Sequence, residues 1–138
     1  MKIIQIVGRS NSGKTTFIKN LIPKLNEKGR VGTIKHLGDH DYILEQGKDS
    51  TEFFETGAQI SIGMDSEKSV AALRTNSLDE MLLLLFRDRI DFAIIEGFKQ
   101  RSFPKIVIGD LETEQIILAN PTVDAVIDSL DRFDDFSE

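Results

Sequence analysis

Residues Lys2 to Leu25, KIIQIVGRSNSGKTTFIKNLIPKL, decide the fold. Ile3, Ile4, Ile6 and Val7 form an apolar run that reads as a buried strand, while Phe17, Ile18, Leu21, Ile22 and Leu25 recur at helical spacing. Between them Gly8 to Thr15, GRSNSGKT, matches the phosphate-loop pattern G-x-x-x-x-G-K-[ST] in the strand-to-helix context that gives such a match its meaning. The glycines let the backbone curl so that successive N–H groups point at phosphate oxygens, and the positive end of the helix adds to that field. Lys14 is placed to bridge the β- and γ-phosphates, and Thr15 to offer its hydroxyl to Mg²⁺. The bland alternative, a glycine-rich turn, does not account for glycines, lysine and hydroxyl falling in register.

Composition limits what surrounds this loop. With 138 residues and 40% hydrophobic content the chain is long enough for one domain with a full core, so residues 1–138 are expected to form a single nucleotide-binding domain. No stretch approaches a membrane span, and the N-terminus enters a strand directly with no signal-peptide pattern, so the expected location is cytoplasmic. The absence of cysteine excludes disulfides, thiolate metal sites and cysteine nucleophiles. A net charge of −6 argues against broad electrostatic binding to nucleic acid or to an anionic membrane.

Further along, strands and helices alternate, which predicts an α/β fold of the phosphate-loop NTPase type, a mostly parallel sheet flanked by helices. Val31 to Ile34 reads as the second strand. A short helix with Phe53 and Phe54 ends at Gly57, and Gln59–Met64 with Ser69–Leu73 reads as a short hairpin added to the parallel core. Ser77 and Glu80 in capping-box register announce the next helix, followed by strands at Phe92–Ile95, Lys105–Ile108 and Gln115–Ala119. A last helix is expected from Thr122, with Asp124, Asp128, Asp131 and Asp135 along one solvated face.

Two further constellations carry chemistry. The strand ending Ile94-Ile95-Glu96-Gly97 places a carboxylate where strand C-termini meet the ligand, so Glu96 is the candidate metal-region and catalytic residue, with Asp91 at the far end. Its alternative is a structural role, capping a neighbouring backbone or pairing with Lys14. The polar stretch Lys35 to Ser50 is longer than an ordinary connection. Lys35 and His36 follow the second strand directly and so belong at the same rim. His36 and His40 would share a metal only if the segment were helical, which Gly38 opposes. Asp49 stands in N-cap register with Glu52.

The ordered set GRSNSGKTT, GTIKH with His40, GKDS, ETGA, IIEGFK and PKI resembles the MobB family of molybdopterin-guanine dinucleotide biosynthesis proteins, over Lys2 to about Ile108. The resemblance implies a homodimeric, GTP-binding phosphate-loop protein with weak Mg²⁺-dependent GTPase activity. It would assist the guanylyltransferase that attaches GMP to molybdopterin, and molybdopterin itself is a further expected partner. Carried over by position, Gly8, Arg9, Ser10, Asn11, Ser12, Gly13, Lys14, Thr15 and Thr16 would hold the phosphates, Thr15 and Glu96 the metal, and Lys35, His36 and Asp49 the adjoining loop. The guanine motif N-K-x-D is absent: Asn120 and Asp124 carry one residue too many between them, so guanine preference follows from the resemblance alone. Two other classes use the same loop, a small-molecule kinase with Asp49 as base and a metal-delivery GTPase, the latter disfavoured by the missing cysteines.

Overall fold

In chain order the elements are β1 (Lys2–Val7), α1 (Lys14–Asn26), β2 (Val31–Lys35), α2 (Asp49–Glu55), β3 (Ile60–Met64), β4 (Ser69–Leu73) and α3 (Leu78–Arg87). β5 (Phe92–Glu96), β6 (Lys105–Val107), β7 (Ile116–Ala119), α4 (Val123–Asp128) and a 3-10 turn at Leu130–Arg132 complete them. The computed structural model describes residues 1–138 and divides them into two units, Met1–Gly38 with Asp79–Glu138, and Asp39–Leu78.

The first unit is built on a five-stranded sheet of order β2-β5-β1-β6-β7, with every pairing parallel. A parallel sheet covered on both faces needs strands that are apolar throughout. β1 and β5 satisfy this, with Ile3, Ile4, Ile6, Val7, Ala93, Ile94 and Ile95 at most 2% exposed. On one face Ile4, Ile6, Ile94 and Ile106 pack with Leu21 and Leu25 of α1, Val126 of α4, and Phe133. Side chains alternate along a strand. Gln5 and Lys105, paired in register, therefore lie on the opposite face. That face is closed in part by α3: a Cβ on Gly32 would stand 2.8 Å from Leu85 Cδ2, so the close approach of helix to strand requires glycine there.

The chain end departs from the sequence expectation. α4 stops at Asp128, with Thr122 Oγ1 as its cap, accepting from Ala125 N at 3.1 Å. After the 3-10 turn the chain runs antiparallel beside β1, with Ile3 N donating to Asp134 O at 3.0 Å and Phe136 N to Met1 O at 2.8 Å. The reason is an open edge: β6 pairs with β1 only from Gln5 onward, leaving its first residues unpaired on that side. Asp131 and Asp135 thus do not extend a helical face from Asp124 and Asp128, and Asp135 instead pairs with Lys2 at 2.9 Å.

The second unit is the antiparallel hairpin β3–β4 with α2 on one face. Ser61 Oγ donates to Ser50 O at 2.6 Å and Thr51 Oγ1 to Glu45 O at 2.7 Å, so the polar groups buried beneath α2 are satisfied. Lys48, not Asp49, occupies the N-cap of α2, without a side-chain cap. Asp49 is the first helical residue, where its charge suits the helix dipole. Tyr42 and Ile43 are 75% and 84% exposed. On the other face of the hairpin Ile60, Ile62 and Met64 are exposed as well. No helix in the chain is long and apolar enough to cross a membrane.

Candidate functional site

β1 ends at Val7, and the chain turns at once into the loop that starts α1. Gly8 is required by space: a Cβ would lie 2.4 Å from Ile108 O and 2.7 Å from Ser12 Oγ. Asn11 (φ 60°) and Gly13 (φ 98°) take left-handed conformations that bend the loop back over the helix axis. Gly13 then serves as N-cap, its carbonyl accepting Phe17 N at 3.0 Å, so that Lys14, Thr15 and Thr16 form the first turn. Ser12 Oγ is buried in the loop without a hydrogen-bond partner. Arg9 points to Asp110, just beyond β6, at 3.5 Å, an exposed pair of little energetic weight.

Lys14 reaches back over the loop and donates to Gly8 O at 3.0 Å and Arg9 O at 2.7 Å. Burial holds its ammonium below the usual lysine range. Glu96 opposes that shift, while the neighbouring charges of Lys99 and Lys35 reinforce it. The Lys14 ammonium thus stands in the field of one carboxylate and two other ammonium groups. Glu96 is the last residue of β5, its side chain 15% exposed, and Lys35 Nζ donates to both its oxygens at 3.2 Å. Parallel register brings these two together, Lys35 opposite Glu96. Glu96 therefore pairs with Lys35 rather than capping a backbone, and Lys14 shares its field. Asp91 sits at the other end of the strand, its carboxylate accepting Arg30 N at 2.8 Å.

His36 N extends the ladder to Glu96 O at 2.9 Å, and its ring lies against Phe98 with centroids 4.6 Å apart. The segment 36–40 is not helical, and Gly38 has φ 65°. No group of three or more His, Cys, Asp or Glu side chains could hold a metal on its own. Magnesium does not require such a cage, because it is commonly held by one or two protein oxygens together with phosphates and water. The Thr15 hydroxyl, in the first turn of α1, and the Glu96 carboxylate, at the end of β5, are hard oxygen donors of the chemistry that ion takes.

The structure assembles the loop, Lys35, His36 and Glu96 in the first unit, whereas Asp49 and His40 belong to the second. Lys99 has no role in the sequence reading, although its place three residues after the strand-end acid was a usable signal. Asn120 is committed elsewhere: Gly109 N donates to its Oδ1 at 2.7 Å and its Nδ2 to Gly109 O at 2.9 Å, tying the ends of β6 and β7.

A central parallel strand running into a glycine loop with its lysine over the loop carbonyls, at the N-terminus of a helix, defines an α/β protein of the phosphate-loop NTPase class. Within that class the chain belongs to the MobB family: the family model for molybdopterin guanine dinucleotide synthesis protein B matches residues 3–129. A probable molybdopterin-guanine dinucleotide biosynthesis adapter protein of Bacillus subtilis is 35% identical over 123 residues, 83% of this chain and 71% of that protein. The adapter protein of Haemophilus influenzae is 36% identical over 110 residues, 77% of this chain but 62% of its own length. The crystal structure of Bacillus subtilis MobB superposes with a TM-score of 0.72 at 25% identity, covering 97% of this chain and 99% of that one.

Proposed function

We propose that this protein binds GTP with Mg²⁺, hydrolyses it slowly, and acts as an adapter in molybdenum cofactor biosynthesis, serving the enzyme that attaches GMP to molybdopterin. The observation that carries the nucleotide reading is the glycine loop at the N-terminus of α1 with Lys14 folded over its Gly8 and Arg9 carbonyls. A lysine ammonium at a helix N-terminus suits a polyanion, and the Glu96 carboxylate would be one oxygen donor to a magnesium ion held with phosphate. Mg²⁺ would supply charge neutralisation on the phosphates; Lys14 would bind and orient them, and Thr15 and Glu96 would hold the metal region. The adapter role is supported by the names of the relatives, and a cytoplasmic location belongs to the same reading.

A homodimer belongs to the same reading. The exposed face of the hairpin, with Ile60, Ile62 and Met64 all more than half exposed, is an apolar strip of the sort that a second copy would cover. The deciding experiment is an equilibrium titration of GTP against ATP with Mg²⁺ or EDTA, followed by turnover with and without molybdopterin. Preference for GTP, a Mg²⁺-dependent gain in affinity and slow turnover are expected. Equal affinity for ATP with transfer to a small acceptor would replace the adapter reading with a kinase.

A further inference from the structure

Two polar side chains occupy positions where a doubly covered parallel sheet calls for hydrocarbon. Gln5, in the middle of β1, is 0% exposed, and Lys105, which opens β6, is 2% exposed; the two are register partners on one face of the sheet. Burying an ammonium without a carboxylate in bonding contact is costly, and burial does hold Lys105 below the usual lysine range, with Glu114 as the opposing charge. Isoleucine or valine at either site would suit the core better, so these residues are explained by what they hold.

What they hold is one segment, the chain between Glu96 and β6. Gln5 Nε2 donates to Gly97 O and Phe98 O, both at 2.8 Å. Lys105 Nζ donates to Arg101 O at 2.5 Å and Phe103 O at 3.4 Å. The segment needs such support. Gly97 (φ 90°) and Phe98 (φ 53°) are consecutive left-handed residues, and a phenylalanine persists there only when its surroundings enforce it. The His36 ring lies against Phe98, and Arg101 is forked onto Asp79 at 2.5 and 3.1 Å, fixing the segment from its outer side. Glu96 directly precedes the Gly97 turn and Lys99 directly follows it. A rotation of the Gly97 and Phe98 peptides would change the direction of both charges relative to the phosphate loop.

We propose that Gln5 and Lys105 are positioning residues that clamp residues 97–103 to the sheet and so set the direction of Glu96 and Lys99 toward bound Mg²⁺ and phosphate. The proposal rests on the nucleotide reading above for its consequence, though not for the clamp itself. Neither residue touches the ligand; each acts through carbonyls of the segment that carries the charges.

The test uses Gln5→Met and Lys105→Met, which keep length and remove the donors. Amide exchange in the ligand-free protein should quicken about tenfold or more across residues 97–103 and stay unchanged in β1 and β5. GTP affinity in EDTA should fall only about two- to fivefold, the modest worth of an exposed Lys99 charge, while the gain on adding Mg²⁺ should fall by about 10- to 100-fold, the usual cost of losing support behind a metal ligand. Folded variants with parental exchange at 97–103 and a parental Mg²⁺ gain would overturn the proposal, as would a lowered melting temperature with the Mg²⁺ gain intact. If Lys105→Met does not fold, Gln5→Met alone decides. Absence of GTP binding in the parent protein would instead defeat the nucleotide reading, and the exchange measurement would still judge the clamp.

Discussion

Lys14→Met is the sharpest test of the phosphate loop, because the structure shows what the lysine gives up on binding. In the structure its ammonium donates to Gly8 O and Arg9 O, at 3.0 and 2.7 Å. Two contacts to phosphate oxygens contribute about 3–6 kcal/mol in total, and exchanging the carbonyl contacts offsets part of that. A net loss of about 2–3 kcal/mol follows for the variant, or a weakening of GTP binding by roughly 30- to 150-fold. Isothermal titration of both proteins measures it directly. The pH dependence carries a second signature. Burial holds the Lys14 pKa below 10.5 in the folded protein, and triphosphate favours the charged form. Affinity should be full below that lowered value and should fall as pH rises through it, earlier than for an ordinary lysine. Stability of the free protein follows the opposite sign: the cost of the buried charge is present at lower pH and is relieved as pH rises past the folded pKa. Methionine should abolish both dependences. A folded Lys14→Met protein that binds GTP within about threefold of the parent would refute the assignment of this loop to phosphate.

Four other outcomes are expected. Glu96→Gln should keep most Mg²⁺-free GTP affinity and lose Mg²⁺-dependent hydrolysis, and an unchanged hydrolysis rate would leave Glu96 only as the partner of Lys35. Turnover by the isolated protein should fall well below the roughly ten per second of a typical enzyme. Arg9, the arginine within the loop, is turned toward Asp110, and rapid single-protein turnover would contradict an adapter role. Ile62→Glu should shift sedimentation from dimer to monomer without loss of GTP binding, and an unchanged dimer would remove the hairpin face from the interface. Amides between Lys35 and Ser50 should gain protection from exchange when GTP and molybdopterin are both added; equal strong protection with and without them would mark that stretch as fixed.

The parts of this fold that were legible in sequence are those set by local patterns. The loop from Gly8 to Thr15 announces itself because each residue type answers a separate local demand: space at Gly8, a left-handed turn at Gly13, a charge at Lys14. The run Phe92–Glu96 reads as a buried strand because a doubly covered strand leaves no room for alternation. The hairpin is equally plain, two short strands joined by the polar turn at Asp65 to Lys68, where Asp65 Oδ1 accepts from Glu67 N and Lys68 N. Spacing alone placed Glu96 at the rim, although its partner, Lys35, is set by the register between β2 and β5, which no local pattern encodes.

What stayed hidden depends on strand order. The four aspartates near the C-terminus follow helical spacing closely, yet the chain leaves the helix after Asp128 because β1 offers an unpaired edge at its start. That edge exists only because β6 is short and begins opposite Gln5. The same offset has a functional side. By starting β6 at Lys105, level with Gln5, the sheet brings two buried donors beneath the one irregular segment that follows the strand-end acid. A glutamine within KIIQIV and a lysine within PKIVI look like interruptions of apolar strands when each is read in its own neighbourhood. Side by side in the sheet they become the reason a left-handed Gly97–Phe98 turn can be held, and with it the direction of the carboxylate and the ammonium on either side of that turn.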